Sequence, residues 1–290
     1  MDQVEGRLPE FLPRPEYYSH VRRGYDLIST SYDAVEAQNV VGQRLRNRMQ
    51  QALFQSFGPG DRVLELGCGT GIEALALASR GVRVMATDIS PKMVEWVEKK
   101  AEEAGLKDLE ARCLAAHEID SLVAEFGENG FDGAYSHGGV LNMDPDLGSV
   151  AGGLATLLRP RARFLCTVVN QASLFEILFY PMVLRPRKAF RRLGKDVPIP
   201  ITRLPEFRNF VVPTRFYSPA RFLLSFTPLF RLRRLLGLQI LLPPWNLAGY
   251  LERVGPITRF VEALEDRIAD KPPFREWGSV FLMELEREPA

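Results

Sequence analysis

The spacing of apolar and polar positions changes several times along the chain, and each change marks an element. Residues 16–56 read as helical, with tyrosines at 17, 18, 25 and 32 and a basic run at Arg44, Arg46 and Arg48. Gly58-Pro59-Gly60-Asp61 breaks that pattern. From there short apolar runs alternate with longer amphipathic ones. RVLELG (62–67) predicts a strand, followed by a helix over 71–80 that stops at Gly81. VRVMATD (82–88) predicts a second strand. The helix after it is well marked, with Ser90 as N-cap, Pro91 in the first turn, Met93 and Val97 on one face and Gly105 as its stop. Strands over 109–115, 131–137 and 162–169, with helices near 118–126 and over 146–158, continue the alternation. Repeated βα units of this length predict an α/β fold, a mostly parallel sheet with helices on both faces.

The rhythm ends at Asn170. Residues 171–212 are aromatic, basic and broken by prolines, with no βα alternation. A helix over 218–226, a strand within 230–242 and a last strand within 279–288 follow. The expected division is therefore an N-terminal helical lid (1–57), a ligand-binding core (58–170), a cap inserted after the fifth strand (171–212) and the C-terminal part of the core sheet (213–290).

Composition changes this picture little. Of 290 residues, 46% are hydrophobic and 25% charged, which is ordinary for a globular protein. No run approaches the roughly 18 apolar residues that would span a bilayer, and the first residues are acidic and proline-broken, unlike a signal peptide. Cys68, Cys113 and Cys166 have no metal-like spacing, so no metal site and a reduced, cytoplasmic location are expected. Charge is more informative. Residues 1–170 carry 18 Lys/Arg against 24 Asp/Glu, net −6, whereas 171–290 carry 19 against 12, net +7.

The stretch VLELGCGTGIEALALA (63–78) poses the chemical question, because a glycine turn at the carboxyl end of a first parallel strand is where open α/β sheets bind ligands. A phosphate-binding P-loop needs Gly-Lys-Ser/Thr, and here Gly71 is followed by Ile72 and Glu73. A dinucleotide turn needs its third glycine where this chain has Ile72. Glu65, two residues before the turn, suits a cation better than a pyrophosphate.

ELGCGTG resembles motif I of the class I S-adenosylmethionine (SAM)-dependent methyltransferases, and ATDIS (86–90) resembles the acidic end of their second strand. GYDLISTSYDAV (24–35) is similar to the helical lid of their ubiquinone-methylase-like, small-molecule branch. The resemblance implies a Rossmann-like sheet of seven strands and SAM as cofactor. It implies that Glu65 accepts from the methionine ammonium and that Gly67, Cys68 and Gly69 bring backbone amides to the methionine part. Asp88 would take both ribose hydroxyls, Ile89 and Met93 would pack on adenine, and Tyr32 would close over the cofactor. The family's acid for the adenine amine is missing from LAAHEI (114–119), which leaves backbone groups near Ala116 and His117 to read that ring.

Methyl transfer asks for alignment and exclusion of water, and for a base only when the nucleophile holds a proton. His137 has the right intrinsic pKa for that base, although a residue shaping the pocket is the favoured reading. Asn142 is read either as a ligand contact or as a helix cap. In the cap, Phe175, Phe179 and Tyr180 are expected to face the substrate, with the arginines at 185, 187, 191 and 192 outward or at the rim. The expected activity is methyl transfer to a small, hydrophobic metabolite, with no nucleic-acid partner. Peripheral membrane contact and homodimerisation are further expectations for the cap. Two other readings compete: a nicotinamide-dependent oxidoreductase and a nucleic-acid-binding SAM-fold protein.

Overall fold

The computed structural model describes residues 14–194, 197–202, 204–207, 209–244, 247 and 257–289. Three helices come first, α1 (Arg14–Ile28), α2 (Tyr32–Gln38) and α3 (Val40–Ser56). The core then runs β1 (Arg62–Leu66), α4 (Ile72–Ala78), β2 (Arg83–Asp88), α5 (Pro91–Glu103) and β3 (Leu109–Cys113). A 3-10 turn leads into α6 (Val123–Phe126), then β4 (Phe131–Ser136), α7 (Val140–Met143), α8 (Leu147–Leu157) and β5 (Leu158–Val169). The segment expected as a cap holds α9 (Leu174–Met182), a 3-10 segment (Pro186–Leu193) and a hairpin of β6 (Val197–Pro200) and β7 (Val211–Thr214). It is followed by α10 (Pro219–Leu224), β8 (Phe230–Leu238), α11 (Ile257–Ile268) and β9 (Val280–Arg287). Among the described residues, no helix is long and apolar enough to cross a membrane.

Seven strands form one sheet in the order β3-β2-β1-β4-β5-β9-β8. The five from β3 to β5 are parallel, and β9 joins antiparallel to both β5 and β8. This is the mostly parallel seven-stranded sheet expected. Its central strands read as unbroken apolar runs because both faces are buried. Leu64 and Leu66 pack with Phe131 and Phe164 on one side, and Val63 packs with Tyr135 and Leu165 on the other. On the first side Phe222 and Phe226 of the α10 region, 5.0 Å apart, meet Phe164, Phe230 and Phe281 at centroid distances between 5.7 and 5.9 Å. That aromatic cluster fixes the chain beyond the hairpin to the sheet.

Helix ends follow local chemistry. Ser90 Oγ accepts from Met93 N–H and Pro91 opens α5, as its sequence predicts. The expected helix near 118–126 is instead a 3-10 turn (Ala116–Leu122) running into α6. β5 starts at Leu158 because that residue pairs with Phe131 across an irregularity in the β4–β5 ladder.

The basic surplus of the second half does not form one continuous face. Arg231 and Arg233 on β8 pair with Glu284, Glu286 and Glu288 of β9 and its end. Arg191 and Arg192 pair with Glu176.

Candidate functional site

The turn after β1 is built on backbone geometry that glycine alone adopts cheaply. Gly67, Gly69 and Gly71 have φ of +71°, +52° and +81°. A Cβ on Gly67 would collide with Val140, and one on Gly71 would lie 2.9 Å from Val97. The turn thus lets α5 and the loop after β4 close in, and a cavity of about 660 Å³ opens beside it. Its walls come from the turn, the ends of β2, β4 and β5, helices α1, α2 and α3, and the segment from Arg191 to Phe216.

Of the five acids among the described residues that line this cavity, Glu65 and Asp88 stand at the carboxyl ends of β1 and β2. Glu65 is 1% exposed, and its Oε2 meets no donor at hydrogen-bonding geometry among the described residues, the buried Tyr135 hydroxyl being the one group beside the carboxyl that opposes its rise in pKa by hydrogen bonding. Burial first, and the neighbouring Glu73 next, push its carboxyl well above the usual carboxylate range. A buried polar atom without a partner is costly, so such an atom marks a place where a donor belongs. Asp88 ends β2 and accepts two backbone N–H groups, Gly69 N–H at 2.8 Å on Oδ2 and Ser90 N–H at 2.9 Å on Oδ1. A carboxylate has about four acceptor sites, so two remain for a ligand. Burial pushes its pKa up to about 6, and the two N–H groups oppose that rise.

The N-terminal helices supply ion pairs and hydrogen bonds whose partners their own sequence does not reveal. Arg46 of α3 grips Glu73 with contacts of 2.6 Å and reaches Glu36 of α2 at 3.2 Å. This neutralises the acid in the first turn of α4. Asp33 of α2 bonds Thr70 Oγ1 at 2.5 Å and Lys100 Nζ at 2.6 Å, fastening α2 over the turn. The Tyr32 ring then lies 3.6 Å from where a Gly69 Cβ would be. Asp26 accepts from Ser90 Oγ at 2.6 Å and holds α1 to the end of β2.

His137 lines the cavity, and its Nδ1 lies 2.9 Å from Thr167 Oγ1, which also accepts from Gly138 N–H at 3.1 Å. Burial lowers the pKa of the ring, so it stays neutral at neutral pH. Asn142 serves neither as a ligand contact nor as a cap. Its amide donates to Val169 O and Arg215 O and accepts from Val169 N–H, which uses both ends of the side chain to tie the loop after β4 to β5 and to the chain after β7.

Gly67, Cys68, Gly69, Ile89, Ala116 and Tyr32 all line the cavity, as expected of cofactor contacts. Other expected residues are elsewhere. Met93 is fully buried on the inward face of α5, with Val97 one turn on, and does not reach the cavity wall. The His117 ring stacks on Tyr18 at 4.0 Å and bonds Asp144 at 3.2 Å, while Tyr18 donates to the same carboxylate at 2.8 Å; the contact expected here is with backbone groups, and Ala116 beside it lines the cavity. Phe175, Phe179 and Tyr180 do not line the cavity either. Phe175 and Phe179 stack on each other at 5.3 Å, and Tyr180 meets Phe179 edge-on. The polar side of the segment points in instead. Glu176, 0% exposed, is held by Arg191 and Arg192, and both arginines line the cavity. Charge drew this arrangement, because a buried carboxylate needs a partner more than an aromatic ring needs a core.

Residues 63–161 match a family described as a methyltransferase domain. The demethylmenaquinone methyltransferase of Symbiobacterium thermophilum is 28% identical over 159 residues, which is 53% of this chain and 61% of that protein. The chain therefore spans less than two thirds of that relative. Among solved structures, the cyclase SpnF superposes with a TM-score of 0.61 at 15% identity, covering 93% of this chain and 96% of that one. Geranyl diphosphate C-methyltransferase from Streptomyces coelicolor superposes with a TM-score of 0.60 at 14% identity, covering 96% and 100%. At such identities these two likenesses speak to the fold.

Proposed function

With residues 63–161 belonging to the class I SAM-dependent methyltransferase family, we propose that this protein binds SAM in the cavity beside the glycine turn and transfers its methyl group to a small, mainly apolar molecule. One observation carries the reading. Glu65 is a buried carboxyl whose Oε2 meets no donor at hydrogen-bonding geometry among the described residues, with only the Tyr135 hydroxyl beside it, in the same cavity as a three-glycine turn that leaves room for backbone approach. The ammonium of a methionine moiety is such a donor. A phosphate in the same place would have no proton to offer the Glu65 carboxyl and would lie against the ionised Asp88.

In this reading Asp88 accepts the ribose hydroxyls with the acceptor sites that Gly69 and Ser90 leave open. Ile89 and Ala116 flank the adenine, and Tyr32 covers the turn. The bound cofactor supplies an electrophilic methyl on a sulfonium. The chain's own contribution is alignment and dryness: α1 and α2 close one side of the cavity, and the 191–216 segment closes another. His137, neutral and bonded to Thr167, shapes the wall and keeps its second ring nitrogen for a substrate hydrogen bond. The 171–212 segment acts as the cap through its hairpin rather than its helix. Ile199, Ile201, Val212 and Phe216 give the apolar wall, and Arg191 gives a cationic corner.

Isothermal calorimetry tests the reading. S-adenosylhomocysteine (SAH) and SAM should bind at micromolar concentration or below, and NAD should not. Binding of NAD without binding of SAM or SAH would overturn it.

A further inference from the structure

The inner side of α9 and the 3-10 segment after it is accounted for by Glu176 and its two arginines. The outer side is not. Leu178, Met182, Leu184, Phe190 and Leu193 are 57%, 82%, 89%, 59% and 60% exposed. Isolated exposed apolar residues are normal on a soluble protein, but five large ones within residues 178–193 form a concentration that calls for a covering partner. Arg185, Arg187 and Lys188 are exposed among them. The one acid between residues 171 and 194 is Glu176, and it is fully buried. The outward face is thus apolar and cationic with no anion.

We propose that this face docks on an anionic phospholipid bilayer, with Met182, Leu184 and Phe190 entering the interface and Arg185, Arg187 and Lys188 meeting the headgroups. Charge chooses this occupant. Anionic lipid attracts each cation while the acyl boundary takes the apolar side chains. A second copy meeting this one face to face would set its own three cations against these. Nucleic acid would meet the cations but not the aliphatic side chains, and Phe190 is the one exposed ring in the segment available to stack. The fold also suits the task. Glu176 with Arg191 and Arg192, Arg192 further bonded to Asn170 O and Ser279 O at 2.9 Å, pins the segment to the body, so docking needs no refolding. Because Arg191 and Arg192 also line the cavity, a lipid-like substrate would have a short path inward. That last step rests on the methyl-transfer reading, whereas docking does not.

The test is co-sedimentation of the full chain with vesicles of phosphatidylcholine alone and of phosphatidylcholine mixed with phosphatidylglycerol. The protein should bind the mixed vesicles and release as salt rises. Met182→Glu with Leu184→Glu should lower partitioning at least about tenfold, since both positions lose insertion and gain repulsion. Arg185→Glu with Arg187→Glu should remove the preference for anionic vesicles, at about fivefold for each cation lost. All four positions are exposed, so SAH binding should be unchanged in both variants and reports that they are folded. Absence of binding to the mixed vesicles, or equal binding by the wild type and the glutamate variants, overturns docking. A concentration-dependent dimer abolished by Met182→Glu with Leu184→Glu, without vesicle binding, assigns the face to a second copy and overturns it too. Loss of SAH binding in the wild type would instead strike the methyl-transfer reading and leave docking standing.

Discussion

Ionisation of Asp88 gives a direct test of how the cavity holds its ligand. Its pKa is pushed from the ordinary 3.8 up to about 6, chiefly by burial. A carboxyl raised on folding favours the protonated folded state. Its contribution to the stability of the ligand-free protein is therefore fully present below about pH 4 and is lost as pH climbs through 6. The gap of roughly two units corresponds to about 3 kcal/mol. Affinity for SAH should run the opposite way, because two ribose hydroxyls donate and need an ionised acceptor. At pH 5 only about one molecule in eleven carries ionised Asp88, so SAH should bind about tenfold more weakly there than at pH 7.5. Calorimetry at pH 6 in buffers of different ionisation enthalpy should register release of about half a proton. Asp88→Asn should reduce this dependence to the part that the raised Glu65 carboxyl contributes, and weaken binding at pH 7.5 by about ten- to a hundredfold, the range for a hydrogen bond to a charged group. A flat profile in the wild type, or an unchanged slope in the variant, refutes the assignment of Asp88 to the diol.

Two other substitutions probe the electrostatics of the site. Glu65→Gln should weaken SAH binding by roughly 1.5–3 kcal/mol, the range for a hydrogen bond to a charged group; unchanged affinity in calorimetry would contradict the ammonium role. Arg46→Met strands Glu73, 3% exposed, and should cost about 3–5 kcal/mol in urea denaturation, with Arg46→Met and Glu73→Gln together recovering much of it. Equal stability of the wild type and the single variant would mean that the pair is inert.

The sheet and the glycine turn were legible because their signals are local. Alternating apolar runs mark strands buried on both faces, and GCGTG is spaced for one turn at one strand end. Ser90 and Pro91 likewise announce α5 within a few residues. What the residues alone did not disclose depends on partners far along the chain. Arg46 reaches Glu73 across 27 positions, and Tyr18 reaches Asp144 across 126. No spacing rule connects them. The misreadings share a cause as well. Met93 stands near residues that do line the cavity, but helical rotation sends it inward. In the cap, the aromatic residues expected as lining pack on one another, and Arg191 and Arg192, paired with the buried Glu176, face in. The net charge of +7 over residues 171–290 hid its pairing for a similar reason, since charges on β8 find partners on β9 that lie more than fifty residues later.

The arginines of β8 have a consequence beyond charge balance. β8 is the last strand of the sheet, and a last strand offers an open row of backbone donors and acceptors on which another extended chain can grow. Here that row is interrupted. The β8–β9 ladder shifts register between Leu232 and Arg234, and Arg231 to Arg234 are all exposed at the same place. A strand approaching from outside would find its hydrogen bonds out of phase, and bringing up an identical strand would set guanidinium against guanidinium. The irregularity and the cations together make this edge a terminator, guarding the chain against sheet-to-sheet growth when it is crowded.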